Sequence, residues 1–73
     1  MIRRDFHGWT VDNATQAVEL IVGDIRMRAV TEDVEFITGH GPIRDAVFDL
    51  LTLYNLSPKQ QLGNSGVIIA TIS

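Results

Sequence analysis

The chain holds two histidines, and each stands beside glycine at a break in the hydrophobic pattern: His7 in DFHGWT (5–10) and His40 in TGHG (38–41). An imidazole titrates near pH ~6.5, so one ring can accept a proton near neutrality while another donates one. Glycine lets the backbone approach a bound phosphate closely. Asp5 and His7 are two residues apart, so on a strand they share a face, spaced by roughly 6.6 Å along the chain. That is too long to count on a direct hydrogen bond between them, yet both can reach one phosphate or ion. The plainer reading pairs Asp5 with Arg3, Arg4 or a backbone N–H and leaves His7 to cap the turn.

The flanking residues predict how these groups are positioned. Residues 2–7, IRRDFH, read as a short polar strand that Gly8 ends. Thr10 suits a helix N-cap, and Asp12 suits the first turn of the helix dipole. Val11, Ala14, Val18, Ile21, Val22, Ile25 and Ala29 then recur at spacings of three and four, the apolar face of a helix of about five turns. Gly23 interrupts it at a cost of about 1 kcal/mol relative to alanine, and close packing is the one reason that suggests itself.

Residues 34–38, VEFIT, are β-branched and aromatic and read as a second strand. Gly39-His40-Gly41 breaks it, and Pro42 suits the first position of a new helix. Ile43, Ala46, Val47, Leu50, Leu51 and Tyr54 form its apolar stripe, with Phe48 off the stripe and Asn55 as the stop. Residues 57–62, SPKQQL, suit a short edge strand, 63–66 a turn, and 67–72, VIIATI, a central strand.

The order β-α-β-α-β-β predicts an α/β two-layer sandwich: a mixed four-stranded sheet with two helices on one face and a less apolar outer face. Right-handed crossovers make the first two strands parallel. Ligands of open α/β sheets sit beyond the carboxyl ends of parallel strands, and His7-Gly8-Trp9-Thr10 and Thr38-Gly39-His40-Gly41 both meet that rim. Each opens a helix whose N-terminus favours anions. Trp9 reads either as a platform for a base or as a lid over the helix entrance, and Arg44 as a phosphate contact or a solvated helix residue. Phe48 and Tyr54 read as packing.

DFHG followed by TVDNA, then ITGHG ahead of a helix, then a G-x-x-G before the last apolar strand, resembles the small MutS-related (Smr) domain family. The likeness runs from Arg4 to Ile72. Asp5, His7 and Gly8 match the family's L-D-L-H-G segment, with Arg4 and Phe6 at its apolar positions. Thr38, Gly39 and Gly41 match its T-G-x-G loop, whose third residue is commonly lysine and here is His40. The resemblance implies a fold like the C-terminal domain of a bacterial translation initiation factor. It also implies binding of RNA or DNA, often with endonuclease activity on RNA or nicking of DNA.

In an RNA endonuclease, one of His7 and His40 takes the proton of a ribose 2′-OH and the other protonates the leaving oxygen. Asp5 orients or tunes His7. Backbone N–H groups around Gly39 to Gly41, with Arg44, stabilise the charged phosphorane. Arg4, Gly8, Trp9 and Thr38 complete the expected nucleic-acid contacts. A variant dependent on a divalent metal would use Asp5 and His7 as ligands. A second possibility is a non-catalytic module that holds a nucleic-acid phosphate, or an acidic protein segment, at the same rim. A third is a protein partner or inhibitor that works through Phe48 and its helix or through the polar sheet face.

Composition bounds these readings. A chain of 73 residues has room for one domain, and at this size it buries only roughly 60% of its unfolded surface. It has no cysteine, hence neither disulfides nor thiolate metal sites. No apolar run nears the ~20 residues that span a bilayer. No apolar stretch follows Arg3 and Arg4 as a signal peptide requires, so the chain reads as cytoplasmic. Nine acids against six Lys and Arg leave a net charge of −3, which argues against broad phosphate contacts. Arg3, Arg4, His7, His40 and Arg44 nonetheless lie in or beside the two junctions.

Overall fold

Two strand–helix units and a terminal hairpin make up the computed structural model, which describes residues 1–73. The elements are β1 (Ile2–Asp5), α1 (Val11–Met27), β2 (Glu32–Ile37), α2 (Pro42–Leu53), β3 (Lys59–Gln61) and β4 (Asn64–Ile72). The sheet order is β1-β2-β4-β3. β1 and β2 are parallel neighbours, and β4 runs antiparallel to both β2 and β3. This is the expected mixed four-stranded sheet and two-layer sandwich, with apolar β4 in its interior. No helix is long and apolar enough to cross a membrane.

Strand alternation builds the core. Val34 and Phe36 of β2 and Ile68, Ala70 and Ile72 of β4 join Ala14, Val18, Val22 and Ile25 of α1 and Ile43, Val47 and Leu51 of α2 in one buried cluster. Phe6 and Leu56 complete it, and half-buried Phe48 and Tyr54 pack against it. Phe48, off the apolar stripe of α2, thus packs part of its surface against the core and keeps part of it exposed. The outer sheet face is mixed. Arg3 pairs with the buried carboxylate of Glu35 at 3.5 Å, and Thr71 donates to Asp33 at 2.7 Å. Ile37, Val67 and Ile69 lie among them in the same register.

Capping explains the helix bounds. The Thr10 hydroxyl accepts the Asn13 N–H at 3.1 Å, as its position predicts. Both helices end in the same way. Ala29 (φ 55) and Asn55 (φ 61) take the left-handed conformation, and the next residues, Val30 and Leu56, donate back to the carbonyls of Ile25 and Leu51. That is a Schellman closure. Asn55 announces it in the sequence, while Ala29 was expected inside the first helix and instead stands beyond it.

The strands also differ from expectation at their ends. β1 stops at Asp5 rather than residue 7, because the Asp5 carboxylate takes the His7 N–H and Gly8 (φ 82) turns the chain. β2 starts two residues before 34, where Glu32 and Asp33 find partners in Ile72 and Thr71, and it ends at Ile37, one residue before 38. β3 is shorter than 57–62, since Ser57 has φ 48 and Pro58 has no N–H to pair. β4 begins at Asn64, so most of the expected turn at 63–66 is strand, with a register shift between Gln60 and Gln61.

Gly23 has no packing reason. It is exposed, and a Cβ placed there meets nothing within 4 Å. Gly23→Ala is therefore expected to stabilise the protein by about 1 kcal/mol. In a thermal melt the midpoint rises by roughly 4–8 °C. A lower midpoint would mean that α1 needs the glycine for a reason other than helix propensity.

Candidate functional site

Because β1 and β2 are adjacent and parallel, their carboxyl ends release the chain side by side. From β1 it passes through Phe6–Thr10 into α1, and from β2 through Thr38–Gly41 into α2. Gly39 sits between the two histidines. It has φ 73, and His7 Cδ2 lies 3.8 Å from where its Cβ would stand. On its other side Gly66 of β4 approaches so closely that a Cβ there would stand 3.3 Å from the Gly39 Cα and 3.0 Å from His40 Cε1. His7, Gly39, Gly66 and His40 therefore form one contiguous row across the rim, with both imidazoles exposed.

A single carbonyl fastens this row. The oxygen of Gly66 accepts the N–H of Thr38 at 2.8 Å, the N–H of Gly39 at 3.1 Å and the Thr38 hydroxyl at 3.1 Å. Thr38 is thus buried beneath the rim and supports it instead of meeting a ligand. The Gly39 N–H is likewise engaged. The expected backbone donors narrow to His40 and Gly41, whose N–H groups bond nothing within the chain. The first turn of α2 adds its own open N–H groups, since Gly41 supplies no side-chain cap. Gly41 has φ −120 and open space around it, so its backbone is one that any residue adopts. Of the two loop glycines, the geometry requires only Gly39.

The remaining candidates divide between chemistry and support. Asp5 Oδ1 accepts the His7 N–H at 2.9 Å, so its hold on His7 is through the backbone. It pairs with neither arginine: Arg3 faces Glu35, and Arg4 bonds the Arg3 carbonyl at 3.3 Å from within the strand. Arg44 is drawn to the neighbouring Asp45 at 3.3 Å. Trp9 combines its two readings. Its ring packs 5.0 Å from that of Phe6, tilted by 45°, yet 47% of the residue stays exposed. It borders a groove of about 520 Å³ with Gly8, Thr10, Asn13, Gln16 and Leu20. No three His, Asp or Glu side chains converge anywhere in the chain. Asp5 and His7 alone fall short of the protein ligand set of an ordinary zinc site.

Two features were not foreseen. Gly66, expected in a turn, is the buried centre of the site. The β3–β4 hairpin also folds up beside His40, where Gln60, Gln61, Leu62, Asn64 and Ser65 border a concavity of about 600 Å³. The amides of this hairpin carry no motif, and only the fold brings them to the rim.

Gly66→Ala tests the row directly. Its methyl group would stand 3.3 Å from the Gly39 backbone, which must shift by a few tenths of an ångström to take it, so a cost of about 1–3 kcal/mol is expected. Urea denaturation measures it, and the NMR signal of the His40 ring, displaced by the same methyl group, should shift. An unmoved His40 signal would place that ring away from Gly66. Compared with known protein families, characterised proteins and solved structures, the chain finds no match.

Proposed function

We propose that the chain is an Smr-like nucleic-acid-binding domain that cleaves RNA at a phosphodiester held between His7 and His40. One observation carries this reading: Gly39 has the His7 ring on one side and the Gly66–His40 pair on the other. Two imidazoles on either side of the contact between the Gly39 and Gly66 backbones suit acid–base chemistry on an anion. One ring takes the proton of the ribose 2′-OH as that oxygen attacks phosphorus. The other gives a proton to the departing 5′-oxygen. The products are a 2′,3′-cyclic phosphate and a free 5′-hydroxyl. The open N–H groups of His40, Gly41 and the first turn of α2 offset the charge gathering on the phosphorane. Asp5 is a positioning residue here, since it fixes the His7 backbone and not the ring.

One observation favours binding without catalysis: no carboxylate hydrogen-bonds to either imidazole. In that case the rim holds a phosphate and leaves it intact. Incubation with structured RNA and with supercoiled DNA, with and without chelator, separates the readings. Expected are RNA fragments with cyclic phosphate ends in the presence of chelator, and intact DNA, because DNA lacks the 2′-OH. Binding without turnover selects the non-catalytic module. Nicked DNA, or cleavage abolished by chelator, overturns the two-histidine mechanism.

A further inference from the structure

We infer that the rim is built for a single strand, with bases seated on both sides of the central phosphate. One base stacks on Trp9, and the other enters the concavity between His40 and the β3–β4 hairpin. This rests on the proposed phosphodiester site and adds the class of strand and the residues that read it.

The placement of the two concavities is the first support. They share no lining residue: one is lined by Gly8 and Trp9, which follow His7 in the chain, and the other by His40 and the hairpin, so they adjoin the two histidine ends of the row His7-Gly39-Gly66-His40. Phe6 backs the indole and holds it, while its outer surface stays open. Every base has a π-face, so such a platform accepts any of them. The hairpin side differs in chemistry. Gln60, Gln61, Asn64 and Ser65 supply amide and hydroxyl groups that both donate and accept, which base edges require. Asn64 Oδ1 already holds the Gly66 N–H at 3.1 Å, which leaves its NH₂ for a ligand. Fully exposed Leu62 at the hairpin tip adds an apolar edge.

Charge is the second support. Duplex binding draws on many phosphate contacts by Lys and Arg. Here Arg3, Arg28 and Arg44 are paired with Glu35, Asp24 and Asp45. Arg26 bonds the carbonyls of Ser73 and Tyr54 and lies over the Tyr54 ring. Of the six Lys and Arg only Arg4 and Lys59 then lack a carboxylate or ring partner, so with a net charge of −3 phosphate contacts are few, and stacking and polar contacts carry much of the affinity. Base faces open to stacking, and edges free on all sides, are found where bases are unpaired.

The test uses the natural fluorescence of the one tryptophan. The probe is a 2′-O-methyl RNA of about six nucleotides, which is long enough for a site of this kind and cannot be cleaved through a 2′-OH. A duplex of the same composition is the comparison. The single strand is expected to quench Trp9 and to bind at least about tenfold tighter than the duplex. Its salt slope should be shallow, about −0.7 to −1.4, as one or two phosphate contacts imply. With a dye-labelled strand, Trp9→Ala is expected to weaken binding about 5- to 150-fold, and Trp9→Phe to restore much of it. Q60A/Q61A, at two exposed positions, should weaken binding and change the preference among homopolymers, with an unaltered circular dichroism spectrum.

Equal or tighter duplex binding, or an affinity indifferent to Trp9→Ala, overturns the inference. If RNA is cleaved through both histidines while the Trp9 and glutamine variants bind like wild type, the inference fails and the proposed activity stands. If the single strand binds and quenches but RNA is never cut, the inference stands and catalysis falls. Absence of any binding removes both.

Discussion

Phe6→Ala is expected to lower the free energy of folding by about 3–5 kcal/mol, a large part of the roughly 4–11 kcal/mol typical of a chain this long. Phe6 is 1% exposed. Its ring stacks on Phe36 at 5.7 Å and backs Trp9 at 5.0 Å, and its N–H bonds the Ile37 carbonyl at 2.8 Å. Alanine leaves a cavity where β1, β2 and the entrance of α1 meet. The melting midpoint should fall by roughly 10–40 °C, and Phe6→Leu, which keeps most of the volume, should cost far less. Urea denaturation of the three proteins decides the matter. Similar midpoints for wild type and Phe6→Ala would show that this junction is pinned elsewhere.

The second large effect is chemical. His7→Ala and His40→Ala are each expected to slow single-turnover RNA cleavage by about 10²- to 10⁴-fold. Both rings are exposed, so the melting temperature should scarcely change and RNA affinity should fall by only a few fold. The double variant should be little worse than the poorer single one, because a proton acceptor and donor that work together do not lose their effects additively. Full activity in either single variant would leave the other ring without a partner for the proton transfer.

Much of the scaffold is legible because it depends on local chemistry. Thr10 caps, Pro42 opens and Asn55 closes their helices for reasons contained in each residue and its nearest neighbours. The alternation of Val34 and Phe36, and of Ile68, Ala70 and Ile72, sets the inner face of the sheet. What escapes is a backbone closure that no residue type announces, and whatever depends on partners distant in sequence. Ala29 closes α1 although alanine carries no stop signal, because Val30 finds the Ile25 carbonyl. β4 extends back through the glycine-rich stretch because β3 and β2 offer it partners.

The candidate site divides along the same line. That both histidine junctions share a rim follows from the order of the elements. That Thr38 and the Gly39 N–H are consumed below it depends on Gly66, which no local pattern assigns to that role. Asp5 shows the limit most clearly. Its spacing from His7 allowed a shared ligand or a backbone contact, and the fold makes the backbone contact through Oδ1.

The carbonyl that fastens the rim also governs when the rim can exist. A chain emerging from the ribosome has made both imidazoles and both helices well before Gly66 appears. Until then β2 has an unpaired edge, and Thr38 and Gly39 have nothing to hold them. An unfinished polypeptide therefore carries both imidazoles without their arrangement, and the rim takes shape only once β4 has been made and has paired with β2.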